Sequence, residues 1–300
     1  MKKFKLFKEI FYFSSEHLKG VWALFSTIFG IIYSMLARIE VFLFLFTFSC
    51  LVSFYFLYRS WAILHRRVID VEPKSDRNFY IMMNDFVTNL EYYLQNNKSS
   101  DSFALAVGID FSLNLDNSSS GSILGDLIVF LEKKYCIDKT WLQNKIYEAY
   151  RTQYSDISKV KFGDIIDITL KLEEHEIDIL FVVNSRKKQI KSVIKNDVLD
   201  GEDSRVIIIK LFKRCNDLKI KSLMLGAIGT NKLYFPYKII ITEIINAYVY
   251  CIEKQYEPQK IYLSLREEDM IDQGLVPRQI INYISQAIRF ISKKEWHTHV

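Results

Sequence analysis

Two patterns divide the chain. From Gly20 to Tyr58 almost every residue is apolar or small, and the charge-free runs Gly20–Ala37 and Val41–Tyr58 are interrupted only by Arg38, Ile39 and Glu40. At 1.5 Å rise per residue each run would span about 27 Å as a helix, close to the roughly 30 Å hydrocarbon core of a bilayer. The pattern predicts a transmembrane hairpin, with spans at about 20–37 and 41–58, inside an amino-terminal region 1–60. A cleaved signal peptide is the competing reading of the first run, disfavoured by the length of its apolar stretch and by the second run that follows at once. Beyond a linker at 61–77, broken by Pro73, short apolar runs alternate with longer helical patterns. Phe79–Met83, Phe103–Ile109, Ile177–Val183, Val206–Ile209, Ser222–Ile228 and Ile261–Leu265 are predicted as buried strands. Val87–Gln95, Ile123–Lys134, Trp141–Tyr154, Arg186–Ile194 and Pro236–Glu253 have helical length and periodicity. Alternation of this kind predicts an α/β domain of three layers, α/β/α, around a mixed and largely parallel sheet over 78–296.

Charge then fixes an expected orientation. Lys2, Lys3, Lys5, Lys8 and Lys19 precede the first apolar run, Arg59, Arg66 and Arg67 follow the second, and the turn between them holds one Arg beside one Glu. By the positive-inside tendency both ends would face the cytoplasm. The expected location is therefore the inner (cell) membrane, multi-pass, with both termini and the α/β domain cytoplasmic. Ser26, Gly30 and Ser34 repeat every fourth residue on the first run. Such a small-residue face serves either self-association or packing of the hairpin's two helices, and the pattern does not separate the two.

Over the 300 residues, 40 Lys+Arg against 35 Asp+Glu give a formal net charge of +5. That excess is too mild, and too little interleaved with aromatics, to point to nucleic acid. Cys50, Cys136, Cys215 and Cys251 are scattered singly, without ligand spacing to a histidine, so neither a zinc site nor a disulfide framework is expected. Arg186, Lys187, Lys188, Lys191 and Lys195 read as a basic helical face, most simply a solvated one.

In open sheets ligands bind beyond the carboxyl ends of the strands, where loops lead into helices. Asp85 and Phe86 follow the strand at Phe79–Met83, and a carboxylate there can accept from an exocyclic amine such as that of adenine. Asp110 follows the next strand. Ser120, Gly121 and Ser122 then open the helix from Ile123, where free N–H groups and the helix dipole suit a phosphate. Gly229, Thr230, Asn231, Lys232, Tyr234 and Phe235 lie in a further strand-to-helix loop, with Gly229 and Asn231 suited to positive φ and Lys232 adding a cation beside an anion.

The segment Gly226–Pro236 resembles the phosphate-binding loop of macro domains, whose common form is P-A-I-G-T-G-I-Y-G-F-P. Asn84-Asp85-Phe86 is similar to that family's G-D-I, and Ser120–Gly125 to its G-G-G-V-x-G. The resemblance covers about Asn78 to Lys294 and implies a macro-like domain that binds an ADP-ribose derivative. It places Asp85 and Phe86 at adenine, Ser120–Ile123 and Gly229–Lys232 around the diphosphate, and Tyr234 or Phe235 against the distal ribose. No other cofactor is implied. The hydrolytic members carry V-N-A-A-N where this chain has Val107-Gly108-Ile109-Asp110-Phe111, and Tyr234 replaces a glycine. The departures argue for binding without catalysis.

Together with the apolar amino-terminal region, the sequence also resembles the membrane effectors of the type II Thoeris antiphage system. That resemblance implies an NAD-derived signal, histidine-ADP-ribose, made by a TIR-domain partner, with homo-oligomerisation and disruption of the lipid bilayer as the output. A tethered ADP-ribosyl hydrolase and a non-catalytic scaffold are the alternatives.

Overall fold

The computed structural model describes residues 46–55, 58, 68–71, 78–97, 102–118, 121–190, 193–198, 201–228 and 236–295. The chain divides into two units, Met1–Arg66 and Arg67–Val300. In the first, the described part of the second apolar run is helical at 46–55. No helix among the described residues is long and apolar enough to cross a membrane. This overturns the multi-pass inner-membrane location expected from the hydropathy and flanking charges. The run Gly20–Ala37 lies outside the described residues.

The second unit is built on one eight-stranded mixed sheet, in the order β1-β2-β8-β7-β3-β5-β4 with β6 paired to β5. Its strands are β1 (Val68–Asp70), β2 (Asn78–Met83), β3 (Phe103–Asp110), β4 (Ile165–Leu172), β5 (His175–Ile190), β6 (Val193–Val198), β7 (Ser222–Gly226) and β8 (Lys260–Leu265). Strands β2, β8, β7, β3 and β5 run parallel, while β1, β4 and β6 are antiparallel to their neighbours. Strand β1 falls within the segment 61–77 that the sequence suggested as a linker.

Helices cover both faces, which is why the central strands are continuous apolar runs rather than alternating ones. On one face α1 (Phe86–Asn96), α2 (Ile123–Tyr135) and α3 (Lys139–Tyr154) pack on Met82, Leu105, Val107, Phe181 and Met224. On the other, α4 (Gly201–Asp217), α5 (Tyr237–Glu253), a short α6 (Glu267–Asp272) and α7 (Pro277–Glu295) pack on Ile81, Ala106, Val182, Leu225 and Leu263. Neighbouring residues such as Leu105 and Ala106 thus serve opposite cores, as the period of two requires. The three-layer α/β/α architecture with a mixed sheet is the one expected from the sequence.

Two sequence expectations fail. Val206–Ile209 is not a strand but part of α4, whose buried residues Ile207, Ile208, Leu211, Phe212 and Cys215 keep helical spacing. Arg186–Ile194 is not a helix. Its first five residues continue β5, and the chain returns as β6, with Lys187 opposite Asn196 and Gln189 opposite Ile194. The segment lacks the i, i+3, i+4 apolar stripe that would hold a helix on a core, and a neighbouring β-rich segment was available for pairing.

Two of the helices that bear on the site, α1 and α2, begin with side-chain caps. The Asp85 carboxylate accepts from the Thr88 N–H at 2.8 Å, and the Ser122 hydroxyl accepts from the Gly125 N–H at 3.0 Å. Each cap satisfies one of the amides that an α-helix leaves without an internal partner.

Candidate functional site

The carboxyl ends of the five parallel strands form one edge of the sheet, and a cleft of about 410 Å³, opening to solvent included, lies on it. Its walls come from four places. Asn84, Asp85 and Phe86 follow β2; Gly121, Ile123 and Asp126 start α2; Ala227 follows β7; and Ser264, Arg266, Tyr237 and Asp269 come from β8, α5 and α6.

The floor is tight because β7 ends in Gly226. A Cβ there would stand 2.3 Å from Cδ1 of Ile123, so the missing side chain lets the start of α2 approach the strand. Gly121 holds φ +78°, the left-handed region that suits glycine, and its N–H donates to the Asp126 carboxylate at 3.0 Å. The N–H groups of Ile123 and Leu124 have no acceptor among the described residues and stand at the positive end of the helix dipole. The arrangement suits an anion carried on backbone donors.

The rim on the β2–β8 side is held by Asn89. Fully buried within α1, its Nδ2 donates to the Met82 carbonyl at 3.3 Å, the Asn84 carbonyl at 3.1 Å and the Ser264 hydroxyl at 2.8 Å. One carboxamide thereby ties the ends of two strands to the helix that carries Asp85 and Phe86. Phe86 itself is 4% exposed and packs into the core beneath the cleft.

Three carboxylates, Asp85, Asp126 and Asp269, face the cleft with one guanidinium, Arg266. Burial pushes the Asp269 carboxyl above its ordinary value, while the Arg266 charge and a long hydrogen bond from the Tyr237 hydroxyl, 3.4 Å, oppose the shift. Arg266 also pairs with Glu268 at 3.2 Å. The described walls are thus not a cationic trap, and affinity for an anion falls to oriented amides rather than to net charge.

Of the residues singled out from the sequence, Asp85, Phe86, Gly121 and Ile123 line this one cleft, with Ser122 capping the helix between them. Asp110 does not line it. Its carboxylate accepts from the Ser112 N–H at 3.0 Å, the Ser112 hydroxyl at 2.6 Å and the Asn117 amide at 2.7 Å, closing its own loop after β3. Ser120, Gly229, Thr230, Asn231, Lys232, Tyr234 and Phe235 lie outside the described residues.

The sequence reading passed over Asp126, Tyr237, Ser264, Arg266 and Asp269. Ser264 and Arg266 stand at the carboxyl end of Ile261–Leu265, recognised as a strand, so the rule that located the other loops applied there too. Tyr237 and Asp269 carried no local signal, since they meet only through packing of α5 on α6. Among the described residues no group of three His, Cys, Asp or Glu could hold a metal ion.

No protein-family model matches the sequence, and no curated protein matches it. Among solved structures, the chain is similar to a point mutant of the Oceanobacillus iheyensis macrodomain, at 11% identity over 77% of this chain and 96% of that one, TM-score 0.49. It is also similar to the same macrodomain with ADP, at 10% identity over 77% and 97%, TM-score 0.44. A third similar structure is the macrodomain of Thermus aquaticus DarG, at 13% identity over 62% and 97%, TM-score 0.37.

Proposed function

We propose that the α/β domain is a macro-like module that binds an ADP-ribose-type ligand and does not turn it over. The observation that carries this reading is the convergence of Asp85, Phe86, Gly121 and Ile123, singled out from separate sequence motifs, on a single cleft at the carboxyl edge of the sheet. The amides of Ile123 and Leu124, without an acceptor among the described residues, supply the diphosphate with donors, and Asp85 keeps acceptor capacity beyond its bonds to Thr88 for an exocyclic amine. The absence of turnover is supported by Asp110, whose two carboxylate oxygens are both engaged within its own loop. A general base needs free reach to the proton it removes.

The narrower assignment, a receptor for an NAD-derived histidine-ADP-ribose signal supplied by a TIR-domain partner, rests on the sequence resemblance to type II Thoeris effectors. Both levels are tested by calorimetric titration of the full chain with ADP-ribose and with its histidine conjugate, followed by chromatography of the mixtures. Binding with both ligands recovered intact is expected, and preference for the conjugate would favour the receptor. Cleavage would replace the reading by an ADP-ribosyl hydrolase. No binding of either ligand would leave a scaffold.

A further inference from the structure

The cleft proposed to take an anion is lined by more carboxylates than cations. Asp85, Asp126 and Asp269 face it from three separate elements, against one guanidinium, Arg266, among the described residues. That guanidinium is already shared, since it pairs with Glu268 at 3.2 Å and also feels the charges of Asp126 and Asp269. A diphosphate held on the first amides of α2 therefore stands beside negative charge that the described walls do not balance. The repulsion is either carried as lost affinity or removed by neutralising one carboxylate with a proton.

The three carboxylates are not equivalent as proton acceptors. Asp85 accepts from the Thr88 N–H at 2.8 Å and from the Thr88 hydroxyl at 2.6 Å, one bond to each oxygen. Asp126 accepts from the Gly121 N–H at 3.0 Å and stands in the first turn of α2, where the helix dipole favours a negative charge. Such donors are matched to a carboxylate. Asp269 is less well provided. Its described hydrogen bond is the long one from the Tyr237 hydroxyl, 3.4 Å, and it shares the first turn of the short α6 with Glu267 and Glu268. Burial raises its carboxyl above the ordinary value; the Arg266 charge and the Tyr237 bond oppose the rise, and Asp272 and Glu268 add to it.

The charged and titratable groups around Asp269 are thus Arg266 at the end of β8, Tyr237 on α5, and Glu268 and Asp272 on its own helix, with Asp85 and Asp126 across the cleft. His175, the one histidine among the described residues, begins β5 at the opposite edge of the sheet.

Resting on the proposed function above, we infer that an anionic ligand enters this cleft together with one proton, and that Asp269 is the group that takes it. As an acid, Asp269 offers an O–H donor where the empty cleft holds a charge. A carboxyl whose pKa is higher in the complex than in the free chain binds protons as the ligand binds. By linkage, affinity rises as the medium becomes more acidic, and the gain is lost as pH rises through the value in the complex. One proton bounds the slope at about tenfold per pH unit.

The test is calorimetric titration of the full chain with ADP-ribose at pH 5, 6, 7 and 8, repeated at pH 6 in two buffers of different ionisation enthalpy. The two phosphates of ADP-ribose do not titrate across this range, so a dependence on pH belongs to the protein. Wild-type affinity falls by about tenfold between pH 5 and pH 8, and the heat of binding differs between the buffers in the sense of proton uptake. Asp269→Asn, which has no charge to neutralise, binds with a flat profile and the same heat in both buffers, at an affinity no lower than that of wild type at pH 8. A wild-type profile that is flat or rises with pH overturns the inference while the proposed function stands, and no variant is needed to read it. A slope or a buffer dependence that survives in Asp269→Asn overturns the assignment to this residue. Failure of wild type to bind ADP-ribose at any pH removes the proposed function and the inference with it.

Discussion

The two ends of the strand edge are built on opposite principles. At the β2–β8 end the polar groups that shape the rim are committed locally, since Asp85 caps α1, Asn89 joins two strand ends to that helix, and Asp126 holds the Gly121 amide. At the β3–β5 end Asp110 is spent on its own loop, and Asn184 is buried with no bonding partner among the described residues. The first end is pre-organised and would recognise by shape and a few leftover lone pairs. The second leaves the Asn184 carboxamide without a bond to the described residues.

The comparison is broken most severely at Asn89. Replacing it with Ala leaves the Met82 and Asn84 carbonyls and the Ser264 hydroxyl without their shared donor. The expected loss is about 2–3 kcal/mol in denaturant unfolding, with binding of adenine nucleotides weakened because the rim is no longer held. A loss no larger than that of an exposed Asn would mean the β2–β8 end is not built around this residue.

Asp85 sharpens the distinction between a cap and a contact. Asp85→Ala should cost about 1 kcal/mol of stability, the usual value of a cap, and should also lower affinity for ADP-ribose. Asp85→Ser restores the cap, since a hydroxyl can accept from Thr88, but cannot replace a carboxylate facing an amine. Stability recovering while affinity stays low in calorimetry would assign the carboxylate to the ligand. Recovery of both would reduce Asp85 to a helix cap.

Which parts of this arrangement were legible in the sequence follows from how local their causes are. Strands β2, β3, β7 and β8 were readable because burial on both faces makes them uninterrupted apolar runs. The starts of α1 and α2 were readable because Asp85 and Ser122 are caps, fixed within three residues of the amides they serve. The basic stretch at Arg186 was misread because a strand arm is defined by its partner, β6, and not by its own period. The four-residue run Val206–Ile209 was too short to show helical spacing, which emerges only when Leu211, Phe212 and Cys215 are included. Strand β4 went unrecognised although Ile166, Ile168, Leu170 and Leu172 alternate with Asp167, Thr169 and Lys171. Arg266 belongs to a strand end that the same rule would have flagged, whereas Tyr237 and Asp269 are brought together by helix packing. The placement of Asn184 was the least legible, because it depends on a glycine, Gly108, on another strand.

The smallest effect expected concerns Asp269, on the wall of the pre-organised end. Burial raises its pKa in the folded chain, with the neighbouring Arg266 charge in opposition. A carboxylate so raised favours the fold below its unfolded pKa, near 4, and loses that contribution as pH rises through the folded value. Asp269→Asn carries no charge to bury and escapes this loss. The variant should therefore compare more favourably with wild type at pH 7 than at pH 3.5, in unfolding curves taken at both. Because the residue is partly exposed and Arg266 is left without one of its carboxylates, the change stays small. A variant that compares less favourably with wild type at pH 7 than at acid pH would mean that attraction to the Arg266 charge outweighs burial. The β2–β8 end would then be held by charge as well as by caps, and its contrast with the uncharged Asn184 end would be sharper than the hydrogen bonds alone make it.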